Sequence, residues 1–228
     1  MIGSLYIVAT PIGNLSDFSK RAVSVLQAAD YLACEDTRTS ATLLNHYNID
    51  TPTFSFHQHN EHKKVSYLIE LLESGLNVGL ISDAGMPGIS DPGFLAVREA
   101  HQAGAKVRVI PGPDATTTAL VASGLPCDRY IYEGFVPRKK GRSTLLKSIA
   151  EEERTVIVYE SCHRIERLLK EMNQLFRPQR MIAVCRELTK KFEEIVRGPV
   201  AQVTDTFTQR SEQKGEFTVV IAGVDYRD

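Results

Sequence analysis

Several features that would assign a function at once are missing from this chain of 228 residues. Its four cysteines, Cys34, Cys127, Cys162 and Cys185, lie far apart and form no C-x-x-C pair, so neither a zinc ribbon nor a dithiol redox motif is signalled. They read as free thiols in a reducing compartment. No apolar run approaches the roughly 18 residues that span a bilayer, and MIGSLYIVATPIGN carries neither a basic leader segment nor a small-residue cleavage site. Neither secretion nor membrane insertion is expected, and the expected location is cytoplasmic. An excess of one charge is missing as well. With 27 Lys+Arg against 28 Asp+Glu and a pI near 6.6, the chain as a whole is unlike a protein that coats nucleic acid. Neither G-x-G-x-x-G nor G-x-x-x-x-G-K-[ST] occurs, which argues against the usual dinucleotide and nucleoside triphosphate cradles.

What is present is unevenly distributed. Residues 1–125 hold 8 Lys+Arg and 12 Asp+Glu, a net −4, whereas residues 126–228 hold 19 and 16, a net +3. The change falls in SGLPCDRYIYEGFVPRKKGR, whose Gly and Pro punctuation interrupts the apolar periodicity as a linker does. A boundary at Pro126 is therefore expected, giving domains 1–125 and 126–228. In the first, strand-length runs (SLYIVA, DYLACE, TPTFSF, NVGLIS, KVRVIP) alternate with helix-length segments, which predicts an α/β domain on a mostly parallel sheet with flanking helices. Asp91-Pro92 reads as a helix start, and Gly75 and Gly104 as helix ends. In the second, RTVIVYE, RMIAVCRE, EEIVRGPV and EFTVVIAG follow one another with fewer helices, which predicts an α/β domain on a mixed sheet.

Three irregular segments end strands of the first domain: TPIGNLSD (10–17), SDAGMPGISDPG (82–93) and PGPDATT (111–117). In an open α/β sheet such loops lie on one edge, and glycine there lets backbone approach a ligand closely. A βα connection is normally two to six residues, so the twelve residues of 82–93 point to a binding loop for a small organic molecule, with Asp83 as acceptor for an amine or hydroxyl. EDTR (35–38) reads equally as a charged helix start. FVPRKKGR (135–142) sets Arg138, Lys139, Lys140 and Arg142 beside an aromatic, a composition that suits either a solvated linker or a phosphate backbone. ESCHR (160–164) and RELTKK (186–191) each place Arg beside Glu, as a surface ion pair or as a phosphate- or base-recognising Arg. His57, His59 and His62 have no carboxylate or thiol cluster to complete a metal site, so no metal is expected and they read as polar surface.

Taken in order, TPIGNLSD, EDTR, SDAGMPGISDPG, PGPDA, GFVPRK, ESCHR, RELTK and GEFTVVI resemble the signatures of the tetrapyrrole-methylase-like (class III) S-adenosylmethionine-dependent methyltransferases. The resemblance covers essentially the whole chain. It is closest to the branch that methylates the 2′-hydroxyl of a cytidine in 16S ribosomal RNA, in the decoding region of the small subunit. Asp114, Val136 and Cys162 replace residues usual in that branch.

The resemblance implies two α/β domains with S-adenosylmethionine in the cleft between them, a homodimer, and 16S rRNA as partner. It assigns Pro11, Asp83, Ala84, Gly85, Met86, Pro87, Asp114 and Ala115 to the methyl donor, together with Tyr159, Gly215 and Glu216 from the second domain. A ribose hydroxyl is a weak acid, so a base or a cation beside the developing alkoxide is expected. The candidates are Glu187, Lys190, Glu160 and Arg164. Arg138, Lys139, Lys140 and Arg142 are assigned to RNA phosphates. A small-molecule methyltransferase of the same superfamily and a non-enzymatic ribosome-binding protein are the alternatives.

Overall fold

The structure, a computed structural model, describes residues 1–227 and divides into two units, Met1–Asp114 and Ala115–Asp228. The first unit is built on β1 (Ser4–Val8), β2 (Tyr31–Cys34), β3 (Thr53–Ser55), β4 (Val78–Ile81) and β5 (Lys106–Ile110). These strands are all parallel, in the order β3-β2-β4-β1-β5. Helices α1 (Lys20–Ala28) and α2 (Thr37–His46) place Leu26, Leu43 and Leu44 against Val8, Leu32 and Ile81. Helices α3 (Glu61–Glu73) and α4 (Phe94–Gln102) place Leu68, Leu72 and Leu95 against Leu5, Ile7 and Leu80 on the opposite face. Burial on both faces explains why β4 reads as a continuous apolar run, since all four of its residues are buried. Truncating Leu72 or Leu80 to Ala would cost ~2–5 kcal/mol.

Local punctuation sets the helix ends. Ser19 Oγ accepts from Ala22 N at 3.0 Å ahead of α1, and Asp36 accepts from Arg38 N at 2.8 Å ahead of α2. Gly75 and Gly104 take positive φ just past α3 and α4, the conformation that ends a helix most easily without a Cβ. The expected start at Asp91-Pro92 is corrected: α4 begins at Phe94 with Gly93 before it. The Asp91 carboxyl is bonded instead to the Ser82 hydroxyl, and Pro92 O accepts from Gly88 N at 3.2 Å.

The second unit comprises α5 (Ala115–Ser123), β6 (Tyr130–Phe135), α6 (Arg142–Glu151), β7 (Thr155–Ser161), α7 (Ile165–Leu175), β8 (Met181–Arg186), β9 (Glu194–Pro199), α8 (Val200–Thr208) and β10 (Glu216–Ile221). Its sheet runs β6-β7-β10-β8-β9, with β6 and β7 parallel and the remaining pairs antiparallel. Leu146, Leu168, Met172, Val203 and Phe207 from α6, α7 and α8 pack on Val158, Val184 and Val219. Helix α5 lies against β8, β9 and β10. Arg197 Nε donates to Ser123 O at 3.0 Å there, and Cys185 Sγ stands 3.8 Å from Ala119 O.

Two features differ from the sequence reading, and both arise in the stretch around Pro126. Because α5 packs on the second sheet, the units divide at Asp114/Ala115. The segment read as a linker contains a strand: Tyr130, Ile131 and Tyr132 favour extended backbone, and they pair with β7 before a register shift at Gly134. The pairing places the carboxyl ends of β6, β7 and β8 and the amino ends of β9 and β10 along one edge of this sheet.

Candidate functional site

In the first unit, the connections after β1 and β4 leave toward β2 and β5, passing one another at the centre of the sheet. Such a crossing opens a crevice at the carboxyl ends of the strands. Here the two loops are tied together. Thr10 N donates to Gly85 O at 2.8 Å, Gly85 N donates back to Thr10 O at 3.0 Å, and Thr10 Oγ1 donates to Ser82 O at 3.1 Å. Gly85 takes φ +79°, a conformation that a side chain would strain. The loop after β5 closes in as well, since a Cβ on Gly112 would sit 3.0 Å from the Ala9 Cβ. The structure thus brings Pro11, Ala84 and Gly85 together around one bridge, with Met86 packed into the core behind it and Pro87 buried. Asp114 and Ala115 follow the loop after β5, where the units divide. Thr10, Ser82 and Gly112 were missed in sequence; their only signal is their place at strand ends.

Carboxylates crowd the same edge. Asp83 N donates to Glu35 Oε2 at 3.2 Å, and Asp36 N donates to Asp83 Oδ1 at 3.1 Å, so the loops after β2 and β4 hold each other through their own side chains. Burial, together with the negative charge of its neighbours, raises both Glu35 and Asp83 above the usual carboxylate range. Asp91 is raised furthest, to about 7, chiefly by burial and then by Glu35 and Asp83, while its bond with Ser82 opposes the shift. His57 stands close enough to Glu35 to lower it partly, and its buried Nδ1 has no hydrogen-bond partner. EDTR is therefore both helix start and site: Asp36 caps α2 and forks with Arg38, and Glu35 joins the cluster. No group of three or more His, Cys, Asp or Glu among the described residues is arranged to hold a metal ion.

The second unit places the remaining candidates on its shared sheet edge. Glu187 adopts φ +51°, and its Oε1 accepts from Glu216 N and Lys190 Nζ, both at 3.0 Å. Burial works to raise the Glu187 carboxyl, but these two bonds hold it below its usual value. Lys190 also reaches Glu216 Oε2 at 2.9 Å; burial works to lower it, and its two carboxylate partners raise it instead. Lys190 is thus a firmly held cation. Gly215, at φ +100°, is required because a Cβ there would approach Glu187 Cγ to 2.5 Å. Tyr159 shares a 2.8 Å hydrogen bond with Thr116.

Two assignments do not fit where the structure puts the residues. Glu160 is 1% exposed; Arg142 takes its Oε2 at 3.1 Å, and Arg164 and Ser161 N take its Oε1 at 2.7 and 2.9 Å. It is a buried anchor and not an available base. Arg142, 3% exposed, is bound to Glu160, to Glu171 at 2.6 Å and to Pro137 O at 3.2 Å, so it does not reach a phosphate outside. Together with Arg164 Nη1, which donates to Val136 O at 3.4 Å, it fixes the base of the loop from which the exposed Arg138, Lys139 and Lys140 project. Helix-start position hid this, because a cation opening a helix normally faces water.

Residues 4–204 match the family described as Tetrapyrrole (Corrin/Porphyrin) Methylases. The solved structure of the methyltransferase CobJ shares 17% identity over 99% of this chain and 96% of its own, with a TM-score of 0.72. Uroporphyrin-III-C-methyltransferase from Thermus thermophilus shares 17% over 97% of this chain and 95% of its own, with a TM-score of 0.66. The chain belongs to the tetrapyrrole methylase family, which makes it a methyltransferase. The curated relatives are closer in sequence. Ribosomal RNA small subunit methyltransferase I of Pasteurella multocida (strain Pm70) is 48% identical over 98% of this chain and 80% of its own length. The protein of the same name from Thermotoga maritima is 41% identical over 97% of this chain and 99% of its own length. The helices of the described residues include none long and apolar enough to cross a membrane.

Proposed function

We propose that this chain transfers the methyl group of S-adenosylmethionine to the ribose 2′-hydroxyl of a cytidine in 16S ribosomal RNA, in the decoding region of the small subunit, acting in the cytoplasm as a homodimer. The observation that carries the reading is near-complete likeness, at 41–48% identity, to proteins named for methylating small-subunit rRNA. The residues present suit the donor. S-adenosylmethionine carries a positive sulfonium and a positive ammonium, and Glu35, Asp83 and Asp91 gather negative charge beside the Thr10–Gly85 bridge, where backbone approaches closely. One solved neighbour is complexed with S-adenyl homocysteine, the demethylated form of that donor.

A bound sulfonium supplies an already activated methyl group, so the chain's own tasks are to hold the acceptor hydroxyl in line and to manage its proton. Lys190 is held protonated by Glu187 and Glu216, so its part is to stabilise negative charge growing on the ribose oxygen. Glu187, ionised beside it, is the candidate carboxylate to take the proton, and Arg164, partly buried and paired with Glu160, is the other cation retained from the candidates.

The test is methyl transfer to small ribosomal subunits from cells lacking the enzyme, followed by ribose-methylation mapping. One newly protected cytidine ribose is the expected result; methyl on a base or on a tetrapyrrole would replace this reading with another. The small-molecule alternative is favoured only by the shared fold at 17% identity, whereas the relatives at 41–48% identity are named for ribosomal RNA. A protein without enzymatic activity would show no thermal stabilisation by S-adenosylhomocysteine.

A further inference from the structure

The shared edge of the second sheet carries a feature that methyl transfer does not use: two exposed phenylalanines at its opposite ends. Phe135 closes β6 and is 57% exposed; Phe192 precedes β9 and is 63% exposed. Single exposed apolar residues are ordinary, but these two are held in place. Phe135 stacks edge-on against Tyr159 at 5.4 Å, and Tyr159 in turn against Tyr132 at 5.3 Å. Phe192 lies on a turn fastened from within: Lys190 N donates to Glu187 O at 3.0 Å, Glu193 N to Lys190 O at 3.1 Å, and Thr189 N to Glu193 Oε2 at 2.6 Å. Lys191 sits over the Phe192 ring at 5.6 Å.

Charge along this edge is also sorted. Four of its carboxylates are taken up internally, Glu187 and Glu216 by Lys190, Glu194 by Arg210 and Glu193 by Thr189 N, while Glu133 on β6 is exposed without an ion-pair partner among the described residues. The exposed Arg138, Lys139 and Lys140 have no ion-pair partner among the described residues, and Lys191 touches only a ring face. Rigid aromatic faces set among uncompensated cations are the composition that binds single-stranded nucleic acid, where bases stack and phosphates meet the cations. Four interstrand spacings separate β6 from β9, about 19 Å. Stacked nucleotides advance about 3.4 Å each, so this edge spans on the order of five of them.

We infer that Phe135 and Phe192 are base-stacking residues which hold a single-stranded stretch of RNA along this edge, on either side of the nucleotide to be modified. This rests on the RNA substrate proposed above and adds to it the form of the substrate: unpaired where it meets the enzyme.

The probe is a fluorescent ten-nucleotide single-stranded RNA, titrated at several salt concentrations against the full chain and its F192L, F192A, F192Y and F135L variants. Leucine keeps the apolar area and removes the π face. F192L, F192A and F135L are expected to weaken binding about five- to a hundredfold with an unchanged salt slope, and F192Y to bind as the parent does. Thermal stabilisation by S-adenosylhomocysteine should be unaltered, and KM for small subunits should rise more than kcat falls. Leucine variants that bind as tightly as the parent, a parent that fails to bind the oligonucleotide, or equal losses on fully duplex RNA would each overturn the inference. So would loss of self-association with RNA binding intact, which would make the edge a contact between copies. Lost stabilisation by S-adenosylhomocysteine in F135L would place Phe135 in the donor site. Unaltered subunit methylation by the leucine variants would remove stacking and leave the proposed function standing, whereas absence of methylation by the parent would remove the function itself.

Discussion

Arg142 and Glu160 face each other at 3.1 Å with side chains 4% and 0% exposed, an ion pair closed off from water inside the second unit. Removing one partner of such a pair strands the other charge in a low-dielectric interior, at a cost of about 3–5 kcal/mol. Glu160→Ala is therefore expected to lower stability by that order in a denaturant titration. A Glu160→Gln variant that melts like the parent would show that the pair contributes little.

The exposed cations of the neighbouring loop should behave differently. Neutralising Arg138, Lys139 and Lys140 together is expected to leave stability within about 0.5 kcal/mol. The slope of log K against log salt for single-stranded RNA should become shallower by about 2, at about 0.7 per contact. Binding measured at four salt concentrations decides this, and an unchanged slope would show that the three residues meet no phosphate.

Asp91 predicts a pH dependence of folding. Its folded value is near 7 against 3.8 unfolded, so between those values the folded protein binds the extra proton. The stability associated with this group is full below pH 4 and is lost as pH rises through 7. Asp91→Asn should remove that fall, leaving the variant relatively more stable at pH 8 than at pH 5. Parallel melting curves for variant and parent across this range would disprove it.

Affinity for the cationic donor should move the other way. Ionised Asp91 adds negative charge beside Glu35 and Asp83, so S-adenosylmethionine is expected to bind more tightly above pH 7 than below it. Calorimetric titrations at pH 6 and pH 8 check this, and Asp91→Asn should abolish the difference.

Gly215→Ala tests the Glu187–Lys190 arrangement. The new methyl would meet Glu187 at 2.5 Å on a backbone already at φ +100°. A loss of about 1–3 kcal/mol is expected, with methyl transfer reduced by more than stability explains. Full single-turnover activity in this variant would show that the pair's geometry is not needed.

Legibility in sequence followed how local each signal was. The five parallel strands of the first unit were readable because each is a short apolar run buried on both faces, as in Val78–Ile81. The mixed second sheet was readable from its close-set strands. Tyr130–Phe135 was not, because its first four residues show no alternation of exposure, its register shifts between Tyr132 and Gly134, and it sits among turn residues. The loops of the first site were visible by composition, but their fastening by Thr10 and Ser82 involves residues distant in the chain. Arg142 was misplaced for the same reason: Glu160 and Glu171, which bury it, lie 18 and 29 residues away.

The bridge between Thr10 and Gly85 joins residues 75 apart, across a sheet whose strand β1, set between β4 and β5, is among the first segments synthesised. Its neighbours β4 and β5 come late, and such non-local pairing carries the entropic cost of closing long loops before any contact repays it. β1 must therefore wait, unpaired, until residues 78–80 have been made, and it gains its second neighbour only with residues 106–110. The bridged loops can then have no partial form: they meet only when β4 has joined β1, and conditions that open the sheet part them in the same transition.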